Sequence, residues 1–150
     1  MGLTTLSAFL RRHRRIALDI SVFIYQLEAH PRYVRFTDAV FSWLEKPGTD
    51  AVTSTITMTE LLVLPYRESD DPMADQCYGL LSIYPNLRWI APALEIADAA
   101  ARLRALHRLR TPDALQAATA SHSGATGLIS NDACFERVDA FETLLLERLL

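Results

Sequence analysis

Lysine is almost missing from this chain: Lys46 is the only one among 15 basic residues. Genome base composition is sufficient reason for that bias. Cysteine is scarce as well. Cys77 and Cys134 are too few for a disulfide framework in 150 residues, and they fit a reducing compartment. Their spacing matches no zinc motif, and the four histidines (His13, His30, His107 and His122) are scattered. No apolar run reaches the roughly 18 residues of a membrane span. The N-terminus places apolar residues ahead of RRHRR, the reverse of a secretory signal. A cytoplasmic protein with no membrane partner is expected. A large excess of charge is also lacking. With 22% charged residues and a net charge of −3, the chain is neither a disordered tail nor a uniformly basic nucleic-acid coat. A local basic surface would still permit an RNA substrate.

What is present is apolar. Half of the residues are hydrophobic, enough for one domain over residues 1–150 with its own core. The organising stretch is RIALDISVFIY, Arg15 to Tyr25. Ile16, Ala17 and Leu18 read as a buried strand, and Asp19 emerges at its C-terminal edge. Asp19 could hold a ligand there or merely cap the next helix. Ser21 is placed to be the N-cap of that helix.

Residues 1–14 form an N-terminal extension, with a short helix expected over 3–14 and Leu3, Leu6 and Leu10 on one face. The cluster from Arg11 to Arg15 is either a solvated helix end or a phosphate-contacting patch beside the active edge. Helices are expected over 21–28 and 33–44, and from Ser54 or Thr55 through Leu64. Others are expected over 73–84, 93–109 and 111–123. Thr111 serves as N-cap of the last of these, with Pro112 at its first position. Strands are expected at 51–53, 87–90, 127–129 and 143–146, although LLLERLL could equally be helical. Strands alternating with helices predict a parallel sheet covered on both faces.

The acids then fall into place. Asp19 ends the first strand and Asp132 follows the fourth. Glu60 lies on the helix after the second strand, and Asp113 in the first turn of the helix before the fourth. Parallel strands share one C-terminal edge, so the four carboxylates could converge there. They would repel one another unless a cation neutralised them. Oxygen ligands favour Mg²⁺ or Mn²⁺. Such an ion can polarise a phosphodiester and lower the pKa of a bound water, which makes a metal-dependent nuclease the sharp reading. Taken singly, Asp113 could serve the helix dipole, Asp132 could cap a turn and Glu60 could be surface charge. Arg108 and Arg110 are either solvated or hold RNA phosphates beside the cleft. Trp43 and Trp89 read as packing residues.

LDISVFIY at 18–25, STITMTELL at 54–62, TPDALQAATA at 111–120 and LISNDACF at 128–135 resemble the PIN-domain ribonucleases. Among these the chain is most similar to the VapC-like toxins of bacterial toxin–antitoxin modules. The resemblance covers residues 16 to about 146. It implies a three-layer α/β/α sandwich with a five-stranded parallel sheet. It implies a Mg²⁺-dependent endoribonuclease acting on single-stranded regions of RNA, often transfer or ribosomal RNA. Asp19, Glu60, Asp113 and Asp132 match the family's four acids, with Asp19 a direct metal ligand. Ser21 falls where a hydroxyl or amide often hydrogen-bonds a metal ligand or water. Ile20 and Ser130 depart from the usual residues, and Ser130 stands where Thr is common. The resemblance also implies a homodimer held inactive by a small antitoxin whose arginine enters the acidic cleft.

Two other readings compete. A haloacid-dehalogenase-like phosphatase also begins with an acid at the first strand. It wants an aspartate two residues later and a lysine further on, whereas this chain has Ser21 and only Lys46, in a turn. A PIN-fold module that binds RNA or protein without cutting could dispense with the four acids.

Overall fold

The computed structural model describes residues 1–150. Chain order is α1 (Gly2–Arg12), β1 (Ile16–Leu18), α2 (Ile20–Leu27), α3 (Val34–Leu44), β2 (Ala51–Ser54), α4 (Thr55–Arg67) and α5 (Asp71–Ser82). β3 (Leu87–Ile90), α6 (Leu94–His107), α7 (Thr111–His122), β4 (Gly127–Ser130) and β5 (Glu142–Leu145) follow. Single 3₁₀ turns occupy Ala133–Arg137 and Leu146–Leu149. The five strands form one parallel sheet in the order β3-β2-β1-β4-β5. The winding therefore reverses between β1 and β4. That reversal is where the carboxyl edge of a parallel sheet opens into a crevice.

Strand alternation divides the core into two. Ile16 and Leu18 face one side, packing with Phe9, Phe23, Phe36, Leu44 and Ile129 from α1 to α3 and β4. Ala17 faces the other, with Val52, Leu128 and the alanines of α7. A period of two sends consecutive residues to opposite faces, so both faces must be covered. Ala114, Ala117, Ala118 and Ala120 are fully buried, and their small side chains let α7 lie close to the sheet. The result is the expected α/β/α sandwich.

The N-terminal extension is ordered. α1 buries Leu6, Phe9 and Leu10, whereas Leu3, expected on the same face, is exposed. Leu6 and Leu10 lie on the buried face that the periodicity predicts, and Phe9 completes it in place of Leu3. A Cβ at Gly127 would come within 2.8 Å of the Phe9 ring, so β4 can start beneath α1 only with glycine. Arg12 and His13 then bind Glu142 at the start of β5, Arg12 at 2.9 and 2.8 Å and His13 at 2.5 Å. The hydrogen bonds from Arg12 and His13 hold the Glu142 carboxyl down to about 2.

Three local expectations are corrected. The N-cap of α2 is Asp19, because Ile20 already has helical geometry, and Ser21 lies inside the first turn. Arg110, not Thr111, is the N-cap of α7, so Pro112 follows Thr111 within its opening turn. LLLERLL is divided, with β5 ending at Leu145 and a 3₁₀ turn completing the run. Trp89 packs against the Phe23 ring and donates its indole N–H to the Leu81 carbonyl at 3.0 Å.

Candidate metal centre

Asp19 lies where β1 gives way to α2, at the carboxyl edge. Its backbone N–H continues the ladder onto the Ile129 carbonyl of β4 (3.1 Å), which pins the acid at the switch between the two strands. The side chain is only 5% exposed. Its single side-chain partner is Ser130, whose hydroxyl donates to Oδ2 at 2.7 Å, and no cationic group pairs with it. Burial pushes the carboxyl up to about 6, and the charges of Asp113 and Glu60 push the same way. Ser130 and the Ile20 amide offset part of that shift.

The other acids surround it. Asp113 sits in the first turn of α7, also nearly buried. Arg110, three residues earlier, donates from Nε to its Oδ2 at 3.0 Å. Glu60, in the second turn of α4, is exposed at the rim. Its carboxyl is raised by partial burial and by Asp113, and lowered by Arg110. Asp132 starts the turn after β4, its amide donating to Ser130 Oγ and its Oδ1 accepting from the Cys134 amide, both at 3.0 Å. The structure thus brings all four sequence-singled acids to one crevice.

Ser130 bridges two of them: its hydroxyl donates to Asp19 and accepts from the Asp132 amide. Ser21 makes no hydrogen bond to a carboxylate. Its Oγ accepts from the Asn131 amide at 3.0 Å and so fastens α2 to the loop that carries Asp132.

The basic residues separate. Arg110 is in the cleft, and Arg108 is exposed in the same connection, with φ of 54° at the end of α6. Arg12 is at the opposite, amino edge of the sheet, held by Glu142. Arg11 is on the same helix end and bonds Ser7 at 3.0 Å. Strand direction decides this: α1 leads into the start of β1, whereas Asp19 lies at its finish. Neither Arg11 nor Arg12 stands beside the acids.

Two residues of the site were not singled out in the sequence. Gln116, buried on α7, donates to Thr57 Oγ1 of α4 and accepts from the Ser54 amide at 3.3 Å. Thr57 also bonds Thr53 at 2.8 Å, and Thr53 donates to the Leu18 carbonyl at 2.8 Å. This buried chain locks α4 to α7 and hence Glu60 to Asp113. The second is Cys134, whose sulfur and one carboxylate oxygen each of Asp113 and Asp132 all lie within 4.8 Å of one another. Burial and the adjacent Asp132 hold the thiol well above the usual range.

The donor set suits a divalent cation. Carboxylate oxygens dominate, and a buried aspartate among like charges has no counter-ion of its own. Asp19, Asp113, Asp132 and Glu60 are the residues that would hold it.

Fold and crevice together define a class: parallel α/β/α proteins with an acidic cleft over the switch point of the sheet. The chain belongs to the PIN domain family, which it matches over residues 16–141. No curated protein sequence matches it. Among solved structures, it is similar to VapBC-1 from nontypeable Haemophilus influenzae, with 18% identity and a TM-score of 0.68. That alignment covers 89% of this chain and 98% of the other. It is similar to a toxin–antitoxin complex from Klebsiella pneumoniae, with 20% identity, 87% and 97% coverage and a TM-score of 0.63. A third is VapBC-5 of the VapBC family of toxin–antitoxin systems from Mycobacterium tuberculosis, with 23% identity, 88% and 98% coverage and a TM-score of 0.59. At these identities the likeness establishes the fold.

Proposed function

We propose that this protein is a metal-dependent endoribonuclease, the toxin component of a VapBC-type toxin–antitoxin module. The observation that carries the reading is Asp19: a buried carboxylate facing other acids, with no cation of its own. Membership of the PIN domain family supports it.

Asp19, Asp113, Asp132 and Glu60 would hold Mg²⁺, with Mn²⁺ as a substitute. When bound, the ion would polarise the scissile phosphodiester and make its water a nucleophile near neutral pH. Ser130 orients Asp19 and Asp132 by bonding both. Gln116 keeps α4 and α7 at a constant separation. Arg110 neutralises Asp113 in the free protein, and with Arg108 it lies where an RNA phosphate would meet the cleft. The substrate is single-stranded RNA, of transfer or ribosomal type, in the cytoplasm.

The partner is a cognate antitoxin, and the working form a homodimer. A groove of about 550 Å³ between α2, α4 and α5 supports the first part. Ile24, Leu27, Leu61, Leu64 and Leu80 line it, and Glu60 stands on its rim. An amphipathic segment lying there would deliver an arginine to the acids.

The test is cleavage of end-labelled RNA by antitoxin-free protein in Mg²⁺ or Mn²⁺. Cleavage abolished by EDTA and by Asp19→Asn is expected. Intact RNA of every kind in both ions would instead favour a PIN-fold module that binds RNA or protein without turnover. Sedimentation of the same sample checks the dimer.

A further inference from the structure

The acid cleft contains one donor that hard-cation chemistry does not need. Cys134 stands two residues after Asp132, at the start of a 3₁₀ turn. Asp132 Oδ1 accepts the Cys134 amide at 3.0 Å, which folds the chain back and sets the sulfur beside the carboxylates. The sulfur and the oxygens of Asp113 and Asp132 lie within 4.8 Å of one another. Zinc binds oxygen at about 2.1 Å and sulfur at about 2.3 Å in a tetrahedron, so its ligand atoms stand roughly 3.4–3.6 Å apart. Side-chain rotations that move the donors by up to about an ångström close the set. Asp19 is an independent pointer to a cation here: it is nine-tenths buried, its only side-chain partner is the Ser130 hydroxyl, and no cation pairs with it.

We propose that Cys134 makes this cleft a binding site for thiophilic divalent cations, zinc foremost, ligated by Asp113, Asp132 and the Cys134 sulfur in competition with magnesium. The inference rests on the cation-binding reading of the four acids and adds to it a selectivity those acids lack. Thiolate is a soft ligand that Mg²⁺ disfavours and zinc favours. Binding releases the thiol proton to solvent. Zinc so held takes the place of the hard ion, so trace zinc sets how much of the protein carries magnesium.

Cadmium is the probe, because a cadmium–thiolate bond gives an ultraviolet charge-transfer band that carboxylates cannot. Full-length protein is titrated with Cd²⁺ alone, and with Mn²⁺ alone by water-proton relaxation. The wild type should show the band, saturating at one equivalent. Cys134→Ser should abolish it while keeping Mn²⁺ binding, and Cys77→Ser should retain it. Zinc affinity, measured by competition, should fall about tenfold or more in Cys134→Ser, at least the loss caused by removing an outer partner of a ligand. A wild type that binds Mn²⁺ without a band overturns the cysteine assignment alone. So does a band that survives in Cys134→Ser or vanishes in Cys77→Ser. A wild type that takes up neither ion overturns the cation cleft as well.

Discussion

Replacing Asp19 by asparagine should make the metal-free protein more stable while removing its use for a cation. The carboxyl moves from an ordinary 3.8 to about 6 on folding, chiefly through burial. At neutral pH that shift costs the fold about 3 kcal/mol. Asparagine carries no charge and can still accept the Ser130 hydroxyl through its amide oxygen. The repulsion from Asp113 and Glu60 disappears with the charge. Allowing for imperfect packing, the variant should gain about 1–3 kcal/mol in EDTA at pH 7. In a chain of this length each kcal/mol moves the melting temperature by roughly 2–4 °C.

The pH dependence has a definite sign. Between about pH 4 and 6 the native state holds a proton that the unfolded chain has lost. Wild-type stability in EDTA should therefore fall as pH rises through that window, and the variant should lack this component. Adding Mg²⁺ at about a hundredfold over its dissociation constant should restore about 2.7 kcal/mol to the wild type and none to Asp19→Asn. Differential scanning calorimetry in EDTA and in Mg²⁺, from pH 4 to 8, measures all of this. A variant less stable than wild type in EDTA, or one with the same slope between pH 4 and 6, would refute the claim that this buried charge strains the fold.

Gln116→Ala should destabilise by about 1–3 kcal/mol by leaving the Thr53–Thr57 chain short of a partner. Denaturant titration checks it, and cleavage should fall further than stability alone accounts for, since Glu60 and Asp113 lose their shared tie. Phe9→Ala should cost about 3–5 kcal/mol, because a fully buried ring is deleted between α1 and the sheet; an unchanged urea midpoint would show that α1 is dispensable. Arg110→Gln, at an exposed side chain, should leave the melting temperature alone but reduce the salt dependence of RNA binding by about one unit of slope. Glu142→Gln should loosen α1 modestly at neutral pH. Its difference from wild type should vanish as acid takes the carboxyl through about 2, followed by hydrogen exchange of the α1 amides.

The sheet was legible because its strands are short apolar runs closed by turn residues, and the acids because each falls at a strand or helix end. Position along the chain is enough to say which edge Asp19, Glu60, Asp113 and Asp132 occupy. It is not enough to say where a side chain points. Cys134 reads as a small core-like residue until the 3₁₀ turn aims its sulfur at Asp132. Gln116 is one polar residue in an alanine-rich helix until Thr57 meets it from another element. The same limit misplaced Arg12: a run of arginines shows charge but not which end of the sheet it joins, and Glu142, 130 residues later, decides that. Ser21 and Thr111 are good capping residues, yet helix geometry begins earlier than they require, two residues earlier at Ile20 and one residue earlier at Thr111 itself.

The reversal of winding between β1 and β4 has a practical corollary. Asp19 and Glu60 belong to the stretch that builds β1 to β3, whereas Asp113 and Asp132 come with α7 and β4. A nick at Ala91–Ala93, between β3 and α6, would leave two carboxylates on each fragment. Neither piece could assemble the cluster by itself. Uptake of Mn²⁺ by a mixture of the two would then report their reunion, making this protein a bipartite sensor whose signal appears only when both parts meet.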